Sequence, residues 1–144
     1  MTAILACRDK DGNVAMAADG RACHETTGLL VSDNVQKIHR LTEHILVGLA
    51  SDRYMDDRLY GMLVEIARPE TCDATICFEA LLNRLQQVPW VFGNFTASLL
   101  FATARTMNRG YICWDKETNK IEATLTELDG PVGGLGSGSD IAVG

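Results

Sequence analysis

Membrane spans, secretion signals and basic clusters are all missing from this sequence of 144 residues. No apolar run approaches the roughly 18 residues that indicate a spanning helix, and the N-terminus lacks the basic-then-apolar pattern of a secretion signal. The composition has nineteen acidic and thirteen basic residues, and the basic ones are scattered. Because several clustered cations are needed to neutralise neighbouring phosphates, we expect no nucleic acid as partner. Because no spanning run and no secretion signal are found, we expect no membrane as partner and a cytoplasmic location.

Signals for metals, cofactors and common nucleophiles are equally sparse. Cys23 beside His24 could be half of a metal site, but no second pair at ligand spacing follows, so we expect no metal and no cofactor. The five cysteines are odd in number and scattered, which argues against disulfides. No serine lies in a G-x-S-x-G turn that would support a triad with one of the three histidines, and a cysteine nucleophile is equally unsupported. The glycines near residue 133 do not follow a strand that opens into a helix, as a phosphate-binding loop would.

What the sequence does contain, in its first third, is a pattern of strands. Apolar runs at 3–7 and 14–18 have strand length, and the Asp11-Gly12 pair between them is a strong hairpin signal. Residues 27–31 and 45–50 are two more apolar runs, and the polar segment between them is expected to be extended. These runs predict an antiparallel sheet.

Two helices are predicted in the middle of the chain. From 53 to 68 apolar residues recur at spacings of three and four, after a Ser51-Asp52 pair that could cap the helix and before Pro69. A second helix is predicted at 74–88, with Asp73 as its cap. The face that this helix is expected to bury comprises Ile76, Cys77, Ala80, Leu81, Leu85 and Val88.

Strand signals return in the last third of the chain, at 97–103, 110–115 and 121–128, the last two joined by a polar KETNK turn. The C-terminal GPVGGLGSGSDIAVG is too rich in glycine for a strand interior. Strands, then two helices, then strands indicate an α+β fold with the helices on one face of a sheet. The length predicts a single domain, residues 1–144.

Five residues are candidates for chemistry, although each has an ordinary structural explanation. Thr2 could simply begin a strand, Asp19 could belong to a turn, and Lys37 could be a solvated lysine. Gly48 lies inside an apolar strand, where glycine marks a bulge or a close approach to the backbone. Ser137 could belong to a flexible tail. Taken one at a time, the ordinary explanations are favoured.

The order and spacing of five short segments change this assessment. The segments are Thr2-Ala3-Ile4-Leu5, Ala17-Ala18-Asp19-Gly20, Asn34-Val35-Gln36-Lys37-Ile38-His39-Arg40-Leu41, Val47-Gly48-Leu49-Ala50 and Gly136-Ser137-Gly138. Together they resemble the proteasome β-subunits, and most closely the HslV-like threonine peptidases of bacteria. The resemblance is in register from Thr2 to about Asp52 and returns at residues 136–139.

This resemblance implies an N-terminal-nucleophile hydrolase fold, in which two stacked antiparallel sheets are flanked by helices. It implies a threonine-type endopeptidase in which Thr2, exposed by removal of Met1, is the nucleophile. Asp19 and Lys37 become the charged pair behind Thr2, Gly48 an oxyanion-hole amide, and Ser137 a helper near the terminal amine. It also implies a homo-oligomeric ring around a shared chamber, peptide or unfolded-protein substrates, and an ATP-dependent unfoldase as partner.

The chemistry of the residues supports these roles independently. A threonine hydroxyl needs a base, and a free α-amine on the same residue has a pKa of about 7.7–8.0. A lysine ammonium about 4 Å from that amine interacts with it by up to roughly 4 kcal/mol at an effective dielectric constant near 20, which favours the neutral amine. A carboxylate such as Asp19 would keep the charge on Lys37.

The resemblance also leaves alternatives open. The family continues beyond the segment that matches residues 136–139, so the C-terminal part of the fold is expected to be missing here. A non-catalytic assembly subunit and an amidase for small substrates therefore remain as alternatives; retained Met1 would favour the first, and turnover restricted to small amides the second. Val35 and Leu46 are predicted to line the substrate pocket beside Thr2.

Overall fold

The structure, a computed structural model, describes residues 3–20, 22–23, 30–32, 36–51, 55–87 and 93–135. Ten strands and two helices lie in these ranges. In chain order they are β1 (Ile4–Arg8), β2 (Val14–Ala18), β3 (Ala22–Cys23), β4 (Leu30–Ser32), β5 (Ile38–Arg40), β6 (Leu46–Ser51), α1 (Met55–Ile66), α2 (Ala74–Gln87), β7 (Phe95–Ala102), β8 (Met107–Asp115), β9 (Lys120–Glu127) and β10 (Val132–Leu135). They confirm the α+β class.

A three-stranded antiparallel sheet has the order β10-β1-β2. The predicted hairpin between β1 and β2 is confirmed, and Gly12 takes the positive φ of 85° that its turn requires. The Asp9 carboxylate accepts hydrogen bonds from the backbone N–H groups of Asp11 and Asn13, at 2.8 and 2.9 Å. This carboxylate therefore closes the turn from inside.

The third strand of this sheet corrects the prediction for the glycine-rich C-terminal segment. Val132–Leu135 forms β10, which pairs with β1 so that Leu135 lies opposite Ile4. A Cβ on Gly133 would lie 2.7 Å from Leu128 Cδ1, so a larger residue here would require the Leu128 side chain to move. Glycine at position 133 avoids this contact with Leu128, and the pairing with β1 supplies the strand's hydrogen bonds.

A five-stranded antiparallel sheet has the order β5-β6-β7-β8-β9 and carries the core on both faces. On one side it packs against the three-stranded sheet, through Ile4, Ala6, Leu100, Ala102, Met107 and Leu135. On the other side it packs against the helices, so alternate residues of β7 serve different layers. The stacking of two antiparallel sheets is confirmed, and β3 and β4 form a further antiparallel pair.

Both predicted helices are present and pack on one face of the five-stranded sheet. Asp73 caps α2 as predicted, accepting a hydrogen bond from the Thr75 N–H at 2.8 Å. The buried side chains of α2 are Ala74, Cys77, Phe78, Leu81 and Leu85. The prediction for Ile76 is wrong, since it is 59% exposed and lies outside the stripe that these five buried residues define.

Neither helix of the described ranges is long and apolar enough to span a bilayer. They have 12 and 14 residues, where a span needs about 20.

Candidate active site

The site begins where the first two strands meet at the end opposite their hairpin. Asp19 directly follows β2, and its N–H donates a hydrogen bond to the carbonyl of Ala3 at 3.2 Å. Ala3 is the residue that leads into β1, and Thr2 is joined to it by one peptide bond. The sheet pairing therefore fixes Asp19 beside the start of the chain.

Lys37 joins this corner from the five-stranded sheet. Its Nζ donates a hydrogen bond to Asp19 Oδ1 and forms an ion pair with it. The Lys37 side chain is 4% exposed and that of Asp19 35% exposed. A buried ammonium is costly without a carboxylate partner, and Asp19 supplies one. The predicted pairing of these two residues is thus present in the structure.

Gly48 lies in β6, the second strand of the five-stranded sheet, and faces the three-stranded sheet. A Cβ at this position would lie 2.7 Å from Ile4 Cγ2 and 3.2 Å from Met16 Sδ, so the two sheets approach each other here. Gly48 is paired with Ile38 on one side and Leu100 on the other. These contacts give Gly48 a packing role, and its role as an oxyanion donor stays a prediction.

Leu46 lies two residues before Gly48, at the start of β6. It lines an open cleft of about 720 Å³ together with the β1–β2, β5–β6 and β7–β8 turns. Asp19, Lys37 and Gly48 are not among the residues that line this cleft. The contact of Leu46 with substrate beside Thr2 stays a prediction.

Three of the predicted site residues, Thr2, Val35 and Ser137, lie outside the described residues.

A second carboxylate, Asp56, makes a contact that no sequence pattern indicates. Ser51, the last residue of β6, donates a hydrogen bond from Oγ to Asp56 Oδ1 in the first turn of α1. Burial raises the pKa of Asp56, and the negative charge of Asp57 raises it further. The Ser51 hydrogen bond and the positive charge of Lys37 lower this pKa. The sequence indicates Ser51 only as part of a possible helix cap, and an acidic residue in a first helical turn is an ordinary feature.

A histidine is packed close to the same helix. The ring of His39 in β5 stacks on Tyr60 in α1, with centroids 3.9 Å apart and planes 19° apart. Burial lowers the pKa of His39, and the charge of Asp57 partly opposes this. The imidazole is therefore held in its neutral form.

Comparison with known proteins gives a likeness of fold. No protein-family model matches the sequence, and no curated protein matches it. Among solved structures, eukaryotic HslV from Trypanosoma brucei superposes with a TM-score of 0.65, covering 98% of this chain and 75% of that chain. The fold resembles that of HslV. The sequence identity is 17%, so this HslV-like fold is what the comparison shows, and the chemistry has to be argued from this chain's own residues.

The described residues have no arrangement suited to a metal. Within them no group of three or more His, Cys, Asp or Glu side chains converges, and three or four such ligands are what catalytic and structural zinc sites use. Asp19 and Lys37 are the charged pair of this corner and are in direct contact. Such a pair can hold a cation in place and can influence the protonation of a neighbouring amine.

Proposed function

We propose that this chain is a threonine-type endopeptidase subunit of a ring-forming, self-compartmentalising protease. One observation carries the proposal: a buried lysine ammonium, paired with Asp19, lies at the corner where the chain enters β1. The residue before Ala3 is Thr2, and removal of Met1 would give it a free amine. The HslV-like fold supports the same assignment at the level of architecture.

The mechanism assigns both attacking oxygen and base to one residue. The Thr2 amine takes the proton from its own Oγ, and Oγ bonds to the peptide carbonyl carbon. The C–N bond then breaks as the amine returns the proton to the leaving nitrogen, which leaves an ester on Thr2. Water hydrolyses that ester and restores the hydroxyl. Lys37 keeps the amine neutral at the start, and Asp19 keeps Lys37 charged and in place.

The other predicted residues belong to the same proposal. Gly48 is proposed to offer its amide to the developing oxyanion. Its partners in the sheet are Ile38 in β5 and Leu100 in β7. Ser137 is proposed to assist near the terminal amine, and Val35 and Leu46 to contact apolar substrate side chains. Copies of the chain in a ring and an ATP-dependent unfoldase are the proposed partners, and peptides or unfolded proteins the substrates.

Acylation by a β-lactone tests the proposal directly. Attack by Oγ opens the lactone ring without a leaving group, so the intact mass rises by the full mass of the probe. We expect an adduct on the peptide that begins with Thr2, no adduct in Thr2→Ala, and acylation at least about tenfold slower in Lys37→Met. Lys10→Met, at an exposed lysine, is the matched control and should react normally.

Two results would contradict the proposal. The first is an adduct that persists on the Thr2→Ala variant at the same position in the chain. The second is an intact mass showing that Met1 is retained in protein that nevertheless cleaves peptides, because a blocked amine could not act as the base.

A further inference from the structure

An open cleft lies at the end of the two stacked sheets opposite the pair formed by Asp19 and Lys37. Its volume is about 720 Å³, within the range of roughly 300–1,000 Å³ that small-molecule sites occupy. The β1–β2, β5–β6 and β7–β8 turns form its walls, together with the segment that precedes α2. Neither Asp19 nor Lys37 lines the cleft. A ligand of this cleft would therefore be bound apart from the proposed peptidase site.

The walls of the cleft are held by hydrogen bonds from side chains to the backbone. The β1–β2 turn is closed by the carboxylate described above. In the β5–β6 turn, Thr42 Oγ1 donates a hydrogen bond to the Thr71 carbonyl at 2.8 Å, which connects this turn to the loop between the helices. In the β7–β8 turn, Thr103 Oγ1 accepts hydrogen bonds from the N–H groups of Arg105 and Thr106 at 3.2 and 3.0 Å. A cleft with fixed walls loses little conformational entropy when a ligand binds.

Two arginines line the cleft from different parts of the five-stranded sheet. Arg40 is the last residue of β5, and Arg105 lies in the β7–β8 turn. Arg40 is paired with Leu46, and Leu46 is paired with Ala102, the last residue of β7. The Arg40 backbone is therefore two strand spacings, about 10 Å, from the strand that leads into the Arg105 turn. At this separation two long arginine side chains can reach one ligand group between them.

The positive charge of the two arginines is not neutralised inside the cleft. Both residues are exposed, and in the ranges that the structure describes neither guanidinium forms an ion pair. Glu43 and Asp73 also line the cleft. The Asp73 carboxylate accepts a hydrogen bond from the Thr75 N–H, at the end of α2 where the helix dipole partly offsets its charge. Two unpaired arginines are thus opposed by a single uncompensated carboxylate, that of Glu43.

We propose that this cleft binds a small molecule that carries a phosphate group on an apolar body. The planar guanidinium group donates paired hydrogen bonds that match the oxygens of a phosphate, and Arg40 and Arg105 supply two such groups. The lining also contains the apolar side chains of Val14 and Ile45, which provide a surface for the rest of the ligand. The inference goes beyond the proposed peptidase activity and does not depend on it.

Phenyl phosphate is the probe that tests this proposal, because it combines a phosphate group with an apolar ring. Its binding to the whole chain can be followed by NMR, from the chemical shifts of the backbone amides. We expect saturable shift changes in the three turns that line the cleft, with a dissociation constant below about 1 mM. Inorganic phosphate lacks the ring and phenol lacks the charge, so each should bind at least about tenfold more weakly.

Four variants test which residues bind the probe. Arg40→Gln and Arg105→Gln should each weaken the binding of phenyl phosphate by about tenfold or more, the effect of losing a charged hydrogen bond. Arg109→Gln is the matched control, because Arg109 is an exposed arginine of β8 that does not line the cleft; it should change the dissociation constant by less than about twofold. Glu43→Gln removes the opposing carboxylate and should strengthen binding by up to about threefold.

Four results would overturn the proposal. They are the absence of saturable shift changes in the cleft turns, unchanged affinity in Arg40→Gln and Arg105→Gln, an equal loss of affinity in Arg109→Gln, and phenylacetate binding as tight as that of phenyl phosphate. The last result would show that the cleft does not select a phosphate. The titration requires neither a free Thr2 amine nor a peptide, so its outcome and that of the β-lactone experiment are independent of each other.

Discussion

Replacement of Gly48 by alanine tests how closely the two sheets approach each other. The added Cβ would lie 2.7 Å from Ile4 Cγ2 and 3.3 Å from Ile4 Cδ1, with Met16 Sδ at 3.2 Å. Overpacking of this kind costs about 1–3 kcal/mol, and alanine recovers roughly 0.5–1 kcal/mol over glycine inside a strand. We therefore expect Gly48→Ala to lower the free energy of unfolding by about 1–2 kcal/mol.

Urea denaturation of Gly48→Ala in the Ile4→Ala and Ile4→Val backgrounds tests whether contact with Ile4 causes the loss of stability. Ile4→Ala removes both of the Ile4 atoms that the new Cβ would meet, so Gly48→Ala should be neutral or stabilising in that background. Ile4→Val keeps Cγ2 and is the matched control, in which the cost should persist. If the cost of Gly48→Ala were the same within about 0.5 kcal/mol in the wild type and in Ile4→Ala, the packing explanation would be refuted.

Two further predictions concern charged groups. Asp19→Asn should lower the free energy of unfolding, measured in urea, by about 2 kcal/mol; this is less than the 3–5 kcal/mol of a fully buried pair, because Asp19 is 35% exposed. The control Glu65→Gln breaks the exposed pair with Arg84 and should lower it by less than about 1 kcal/mol. Equal losses in the two variants would contradict the role of burial. The His39 pKa is lowered by burial, so the unfolded state binds more protons and the free energy of unfolding should fall as the pH drops below about 6.5. His39→Phe should flatten that slope, and an unchanged slope would show that this histidine does not contribute.

The local elements of this fold could be predicted from the sequence because each has a local signal. Asp11-Gly12 marks the hairpin, Asp73 marks the start of α2, and the apolar spacing of α1 matches the residues it buries. The strand at β10 could not be predicted in this way. Its two central residues are glycines, which have weak strand propensity, and the strand pairs with β1 more than 120 residues earlier in the chain, a contact that no local pattern encodes.

The site shows the same division between local and distant information. Asp19 and Lys37 were predicted as a pair because of the family resemblance, and the structure brings them into contact. Two other features depend on how the layers pack after folding. One is the close contact that Ile4 would make with a side chain at position 48, and the other is the hydrogen bond from Ser51 to Asp56. Sequence spacing alone did not distinguish Asp56 from any other acidic residue in a first helical turn.

The pH dependence of Thr2 acylation tests most directly whether the Lys37 cation tunes a terminal amine. The rate of β-lactone addition should rise with pH to a plateau, with a midpoint below the ordinary amine value of about 7.7 in the wild type. Lys37→Met removes the cation, so its midpoint should move up to that value or above it, while Lys10→Met should match the wild type. Identical midpoints in the wild type and in Lys37→Met would contradict the account.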